Sequence, residues 1–197
     1  LKISGYAFFV QTYCSVNYDR PLWLPFDEGA GAVATDESGH GNDGAITGAT
    51  WESGLYGWAL SFDGNDYVTV SVNNFLDTIP ADGTIKMWVY LPTGYDPGGP
   101  NMHLAVKIND TSGGNEDLLR WFLVGVDGKM YLDFYVAGVR SRIVGAKASW
   151  AAGWYQLVCT WGAAGMFTYV NGLQDGTHVN TTVPAAGAAK DFVLGVY

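Results

Sequence analysis

The chain has 197 residues, of which 27 are glycine; 15% are aromatic, 15% are charged, and the formal net charge is −9. This length suits one domain with a sizeable core, and the acidic balance excludes phosphate backbones and anionic bilayer surfaces as partners. No run of about 20 apolar residues is present to span a membrane, so neither nucleic-acid binding nor membrane insertion is expected.

Residues 1–20 read as an N-terminal extension or a pairing strand. The apolar run Gly5 to Val10 within it is too short for a secretory core segment, and a start at Leu1 fits a processed product or a piece of a longer protein. Residues 21–197 read as one domain without linker, repeat or low-complexity tract. It opens with an apolar strand, Leu22 to Asp27 (LWLPFD), that runs into an acidic, glycine-rich loop. Two further strands follow, broken at Asp63-Gly64. Helical periodicity is almost absent, and short helical turns are expected only near Phe75 to Ile79.

Strand alternation is clear from residue 85 onward. Ile85, Met87, Val89 and Leu91 share one face of a predicted strand, as Met130, Leu132, Phe134 and Val136 do in another. Tyr131, Asp133 and Tyr135 point the other way. Between these strands, Thr93 to Asn101 and Asn109 to Asp117 read as long surface loops. The pairs Asp63-Gly64, Asp82-Gly83, Asp127-Gly128, Asn171-Gly172 and Asp175-Gly176 suit tight turns that need φ > 0. The best hairpin lies at Asp127-Gly128, between LLRWFLVGV and KMYLDFYVA, and a second lies at Asn171-Gly172. About ten to twelve strands result, and the expected fold class is all-β, an antiparallel two-sheet β-sandwich.

Catalytic patterns are missing. Hydrolysis of a glycosidic bond takes two flanking carboxylates, yet no Glu-x-Asp-x-x-Glu occurs, and Glu28, Glu37, Glu52 and Glu116 all fall in predicted loops or turns. His40, His103 and His178 lack metal-ligand spacing, and neither Gly-x-Ser-x-Gly nor a P-loop is found. Cys14 and Cys159 have no zinc or redox spacing. They either form one disulfide, which contributes roughly 4–5 kcal/mol on the loop-entropy model, or remain two buried thiols. Asn109 and Asn180 sit in short glycosylation patterns of little weight.

Several segments, in order, resemble the laminin G-like, concanavalin A-like jelly-roll family. They are Leu22 to Gly29 (LWLPFDEG), Asp36 to Gly44 (DESGHGNDG), Gly57 to Val68 (GWALSFDGNDYV), Gly83 to Val89 (GTIKMWV), Trp154 to Val158 (WYQLV) and Phe167 to Gly172 (FTYVNG). The resemblance covers roughly residues 22 to 196. It implies a jelly roll, and an extracellular, cell-surface or virion-surface location. Family members usually add one more strand after a segment like Asp191 to Gly195, whereas residues 1–20 have no counterpart there. The open edge is expected to be filled by Lys2 to Tyr13, in cis or from a neighbouring subunit; truncation of a longer protein is the alternative.

The resemblance also directs attention to calcium, because family metal sites lie near the acidic loop. Asp27, Asp36, Asn42 and Asp66 are the expected side-chain ligands of a structural calcium ion, with backbone carbonyls between Gly39 and Gly44. For a saccharide ligand, aromatic faces stack on pyranose rings while Asp and Arg bond hydroxyls; Trp88, Trp121, Tyr131, Asp133, Tyr135 and Arg140 are the candidates. The expected function is a non-catalytic binding or adhesion module for a glycan or cell-surface polysaccharide. The second reading is a structural subunit or decoration protein of a virion, filament or surface layer, assembled as a homo-oligomer through its N-terminal segment.

Overall fold

The computed structural model describes residues 6–11, 22–71, 81–91, 101–108, 117–136, 139–179 and 191–195. Among them sixteen strands form two antiparallel sheets. The first sheet runs in the order β15 (Leu173–His178), β14 (Gly165–Val170), β13 (Gly153–Gly162), β8 (Gly83–Leu91), β1 (Tyr6–Gln11), β6 (Trp58–Phe62), β5 (Thr50–Ser53), with β2 (Trp23–Leu24) also on β1. The second runs β12 (Val139–Val144), β11 (Met130–Val136), β10 (Asp117–Leu123), β9 (Met102–Ile108), β16 (Phe192–Leu194), β7 (Tyr67–Val70), β4 (Gly44–Thr47), β3 (Val33–Ala34). The strands beyond the ten to twelve expected are mostly pieces of two to four residues, too short to show alternation.

Alternation builds the core as the sequence suggests. Ile85, Met87, Val89 and Leu91 are all buried, as are Met130, Leu132 and Phe134. They meet Leu157, Cys159 and Trp161 of β13, and Phe134 packs edge-on against Trp161 with ring centroids 5.3 Å apart. Each such buried side chain contributes about 1.5–3 kcal/mol. The β1 strand lies in cis between β6 and β8, with Phe8 opposite both Leu60 and Val89.

Three of the five turn pairs have the expected conformation: Gly64 (φ 116°), Gly128 (φ 68°), and Asn171 with Gly172 (φ 50° and 80°). The other two are corrected. Gly83 opens β8, and a side chain there would sit 2.1 Å from the Trp161 ring, so close approach explains the glycine. Asp175-Gly176 lies inside β15, where the pairing with β14 shifts register. It forms a bulge: the Asp175 carbonyl and carboxylate accept the N–H groups of Ala146 and Lys147, fastening the segment after β12 to the first sheet. Glu52, expected in a loop, is in β5. Cys159 is a free thiol, and burial raises its pKa well above the usual range. Cys14, the Phe75 to Ile79 turns, residues 93–100 and residues 109–116 with Glu116 lie outside the described residues.

Candidate functional site

The outer face of β10, β11 and β12 gathers most of the polar and aromatic candidates. Val136 pairs with Val139, so counting back along the hairpin sets Tyr135 opposite Arg140, Asp133 opposite Arg142 and Tyr131 opposite Val144. On the other side of β11, Arg120 faces Asp133 and Phe122 faces Tyr131. Directly opposed residues of antiparallel strands share a face. Arg20 apart, every arginine of this acidic chain therefore lies on this surface.

Asp133 is the centre of the cluster and is fully buried. Arg142 Nε and Nη2 donate to its two carboxylate oxygens at 2.6 and 2.5 Å, a bidentate pair. This hydrogen bond, with the Asp133 charge, outweighs burial and raises the guanidinium's pKa. The Arg142 side chain remains 30% exposed. Its guanidinium carbon lies 4.7 Å from the centroid of the Tyr131 ring, and Tyr131 stacks on Phe122 at 5.6 Å. Tyr131 Oη donates to Asp127 Oδ2 at 2.7 Å, which raises the phenol's pKa. Burial would raise the Asp127 carboxyl, but the Lys129 N–H and the Tyr131 hydroxyl more than offset it and lower its pKa. Tyr135 is half-buried and Arg140 is exposed, so both present atoms to solvent.

The other saccharide candidates are elsewhere. Trp121 is fully buried in the core, a correction of its expected role: it alternates with Phe122 and so points between the sheets. Trp88 is half-buried on the outer face of the opposite sheet, across from Gln156. Arg142, Arg120 and Phe122 were not singled out from sequence. The hairpin count could have found Arg142 from Asp133; Arg120 and Phe122 needed the β10–β11 register.

The acidic loop is built around Asp36. Its Oδ1 accepts the N–H groups of Trp23 and Ser38, and its Oδ2 accepts the Ser38 hydroxyl and the Asn42 N–H, at 2.7–2.9 Å. These four bonds occupy the roughly four acceptor positions of a carboxylate. Burial would raise the Asp36 pKa, and the hydrogen bonds more than reverse that, lowering it. Asp43 accepts the Asp36 N–H, and Asn42 is buried beside them. Asp66 serves a different turn, accepting the Asp63 N–H and lying against Gly48. Asp27 is exposed beside Gly57. Thus the structure joins Asp36 to Asn42, while Asp66 holds the separate turn at Asp63. Among the described residues no three His, Cys, Asp or Glu side chains form a metal-binding group.

Two antiparallel sheets packed face to face over one core define the class, a jelly-roll-like β-sandwich. The laminin G model described as the concanavalin A-like lectin/glucanases superfamily matches residues 62–197, and the chain belongs to this family. Among solved structures it is similar to the receptor binding domain of botulinum neurotoxin D, at 14% identity and a TM-score of 0.67, covering 89% of this chain and 44% of that one. The chain thus spans under half the length of that domain. It is also similar to a carbohydrate binding module from Bacillus subtilis (12% identity, TM-score 0.45, 78% of this chain and 88% of that one). A family 16 endo-glucanase from Bacteroides ovatus matches at 10% identity and a TM-score of 0.43, over 96% of this chain and 79% of that one. At 14% identity the likeness to the toxin domain is one of fold alone. No curated protein matches the sequence. No described helix is long and apolar enough to cross a membrane.

Proposed function

We propose that the chain is a non-catalytic carbohydrate-binding module, extracellular or on a surface, whose contact face is the outer side of β10–β12. The observation that carries this is the grouping of Tyr131, Tyr135, Arg140 and Arg142 around one buried carboxylate. Guanidinium forks bond paired oxygens, and tyrosine rings supply apolar area at low entropic cost. The carboxylates here are poorly suited to glycoside hydrolysis. Asp133 is buried and held by Arg142, and Asp127 accepts the Lys129 N–H and the Tyr131 hydroxyl. Binding of an oligosaccharide should therefore fall at least about tenfold in Arg140→Ala and in Tyr135→Ala, two changes at solvent-accessible positions. A glycan array followed by calorimetric titration tests this; unchanged affinity in both variants refutes the placement.

A structural calcium ion at the acidic loop is a separate part of the proposal. It would be held by Asn42 and main-chain carbonyls between Gly39 and Gly44, because Asp36 is already saturated by donors. Its test is thermal unfolding with calcium and with chelator.

A further inference from the structure

We propose a second saccharide site at the end of the sandwich where β5 turns into β6, built from Tyr56, Trp58 and Asp27. It is separate from the β10–β12 face and does not depend on it. Among the residues whose side chains are described, Tyr56 (70%) and Trp58 (44%) are the only exposed aromatics. Isolated exposed apolar residues need no explanation, but here the surroundings are ordered around them. The Gly54 N–H bonds the Gly57 carbonyl at 2.9 Å, closing a turn with Tyr56 at its tip. Gly29 lies directly against the pyrrole half of the Trp58 indole: a Cβ on it would fall 2.5 Å from Cε2 and 2.6 Å from Nε1. Backbone therefore backs one side of the indole while 44% of the residue stays open.

The segment that supplies Gly29 is held in an unusual conformation. Phe26 has φ 59°, rare for a bulky residue, and is fully buried edge-on to Trp51 at 6.4 Å. The Trp51 indole N–H in turn bonds the Gly31 carbonyl at 2.9 Å. Between these anchors Asp27 projects to solvent, with Oδ1 about 3.0 Å from the position of a Cβ on Gly57, next to Trp58. Among the described residues Asp27 has no hydrogen-bond partner.

A partly open indole with a fixed backing, and an exposed carboxylate beside the preceding residue Gly57, suit a pyranose ring. The apolar ring face stacks on Trp58, Asp27 accepts hydroxyl hydrogens, and little ordering remains to be done on binding. The carboxylate and the net charge of −9 select a neutral sugar over a uronate or sulfated one. An organic cation is the competing class, since aromatic faces also attract ammonium groups.

The test is NMR of the full chain with 15N-labelled indoles, the Trp58 signal being assigned with Trp58→Phe. Cellotetraose, maltotetraose and xylotetraose are titrated, with tetramethylammonium and tetragalacturonate as counter-probes. A neutral tetrasaccharide should shift the Trp58 signal saturably, about tenfold more weakly in Asp27→Asn and in Tyr56→Ala, and unchanged in Arg140→Ala. Three results would overturn the proposal: no response to any neutral sugar, a response only to tetramethylammonium or tetragalacturonate, or unaltered binding in Asp27→Asn. Loss of the shift in Arg140→Ala would assign it to the β10–β12 face instead. Both loop variants change exposed side chains, so their folding can be checked independently by thermal unfolding.

Discussion

Replacing Arg142 by Met strands the fully buried Asp133 carboxylate, and its cost can be worked from the geometry. Unit charges about 4 Å apart attract by ~4 kcal/mol at an effective dielectric of about 20, and breaking a buried pair from one side costs about 3–5 kcal/mol. Arg142 is 30% exposed, so solvent screens part of this. Arg120, opposite Asp133 on β10, screens more. Loss of the guanidinium over Tyr131 adds ~0.5–1 kcal/mol. The net expectation is about 3 kcal/mol, a fall in Tm of roughly 6–12 °C for a chain of this size. The assay is a double-mutant cycle by urea and thermal unfolding, with Arg142→Met, Asp133→Leu and both together. Because a buried pair can often be replaced by apolar groups at little cost, the double variant should recover to within about 1.5 kcal/mol of the parent. Strictly additive single effects, or a cost below about 1 kcal/mol for Arg142→Met, would refute the argument.

Three other outcomes follow from the same structure. Asp36→Asn should cost about 2–3 kcal/mol, since at least the Asn42 N–H loses a charged acceptor. Its folded pKa is lowered, so the carboxylate's contribution is present above the ordinary value of 3.8 and is lost as pH falls through the folded pKa. The gap between parent and variant, followed by unfolding from pH 7 downward, should therefore begin to narrow only near 3.8 and close below the folded pKa. If calcium is bound at the loop, chelator should lower Tm and added calcium restore it; a Tm unmoved by either removes calcium from the proposal. Cys159, buried with its pKa raised, should react with a thiol reagent only after unfolding; rapid labelling of the native protein at that position would contradict its burial.

The sandwich was readable because alternation over seven to nine residues leaves few ways to bury one face, as β8 and β11 illustrate. The hairpin at Asp127-Gly128 was readable because its glycine adopts φ 68°, a requirement that local sequence signals directly. Asp82-Gly83 and Asp175-Gly176 carry the same dipeptide for different reasons, one a tertiary contact with Trp161, the other a bulge fastened to Lys147. Neither partner is near in sequence. Trp121 was misplaced because aromatics occur on both faces of a sandwich, and only its neighbours in β10 decide which way it points. Of the saccharide candidates, Tyr131, Asp133 and Tyr135 were grouped by alternation alone. Arg142 and Phe122 joined them through cross-strand register. Trp58 carries no local sequence signal, because its setting depends on the distant Gly29 that lies against its indole.

The β10–β12 face is proposed to bind a glycan. Calorimetric titration of the full chain with the strongest ligand from a glycan array, in parent, Arg140→Ala and Tyr135→Ala proteins of equal Tm, tests it most directly. Saturable binding by the parent is expected, weakened at least about tenfold in each variant. Equal affinity in all three proteins, or turnover of the glycan during the titration, would contradict it.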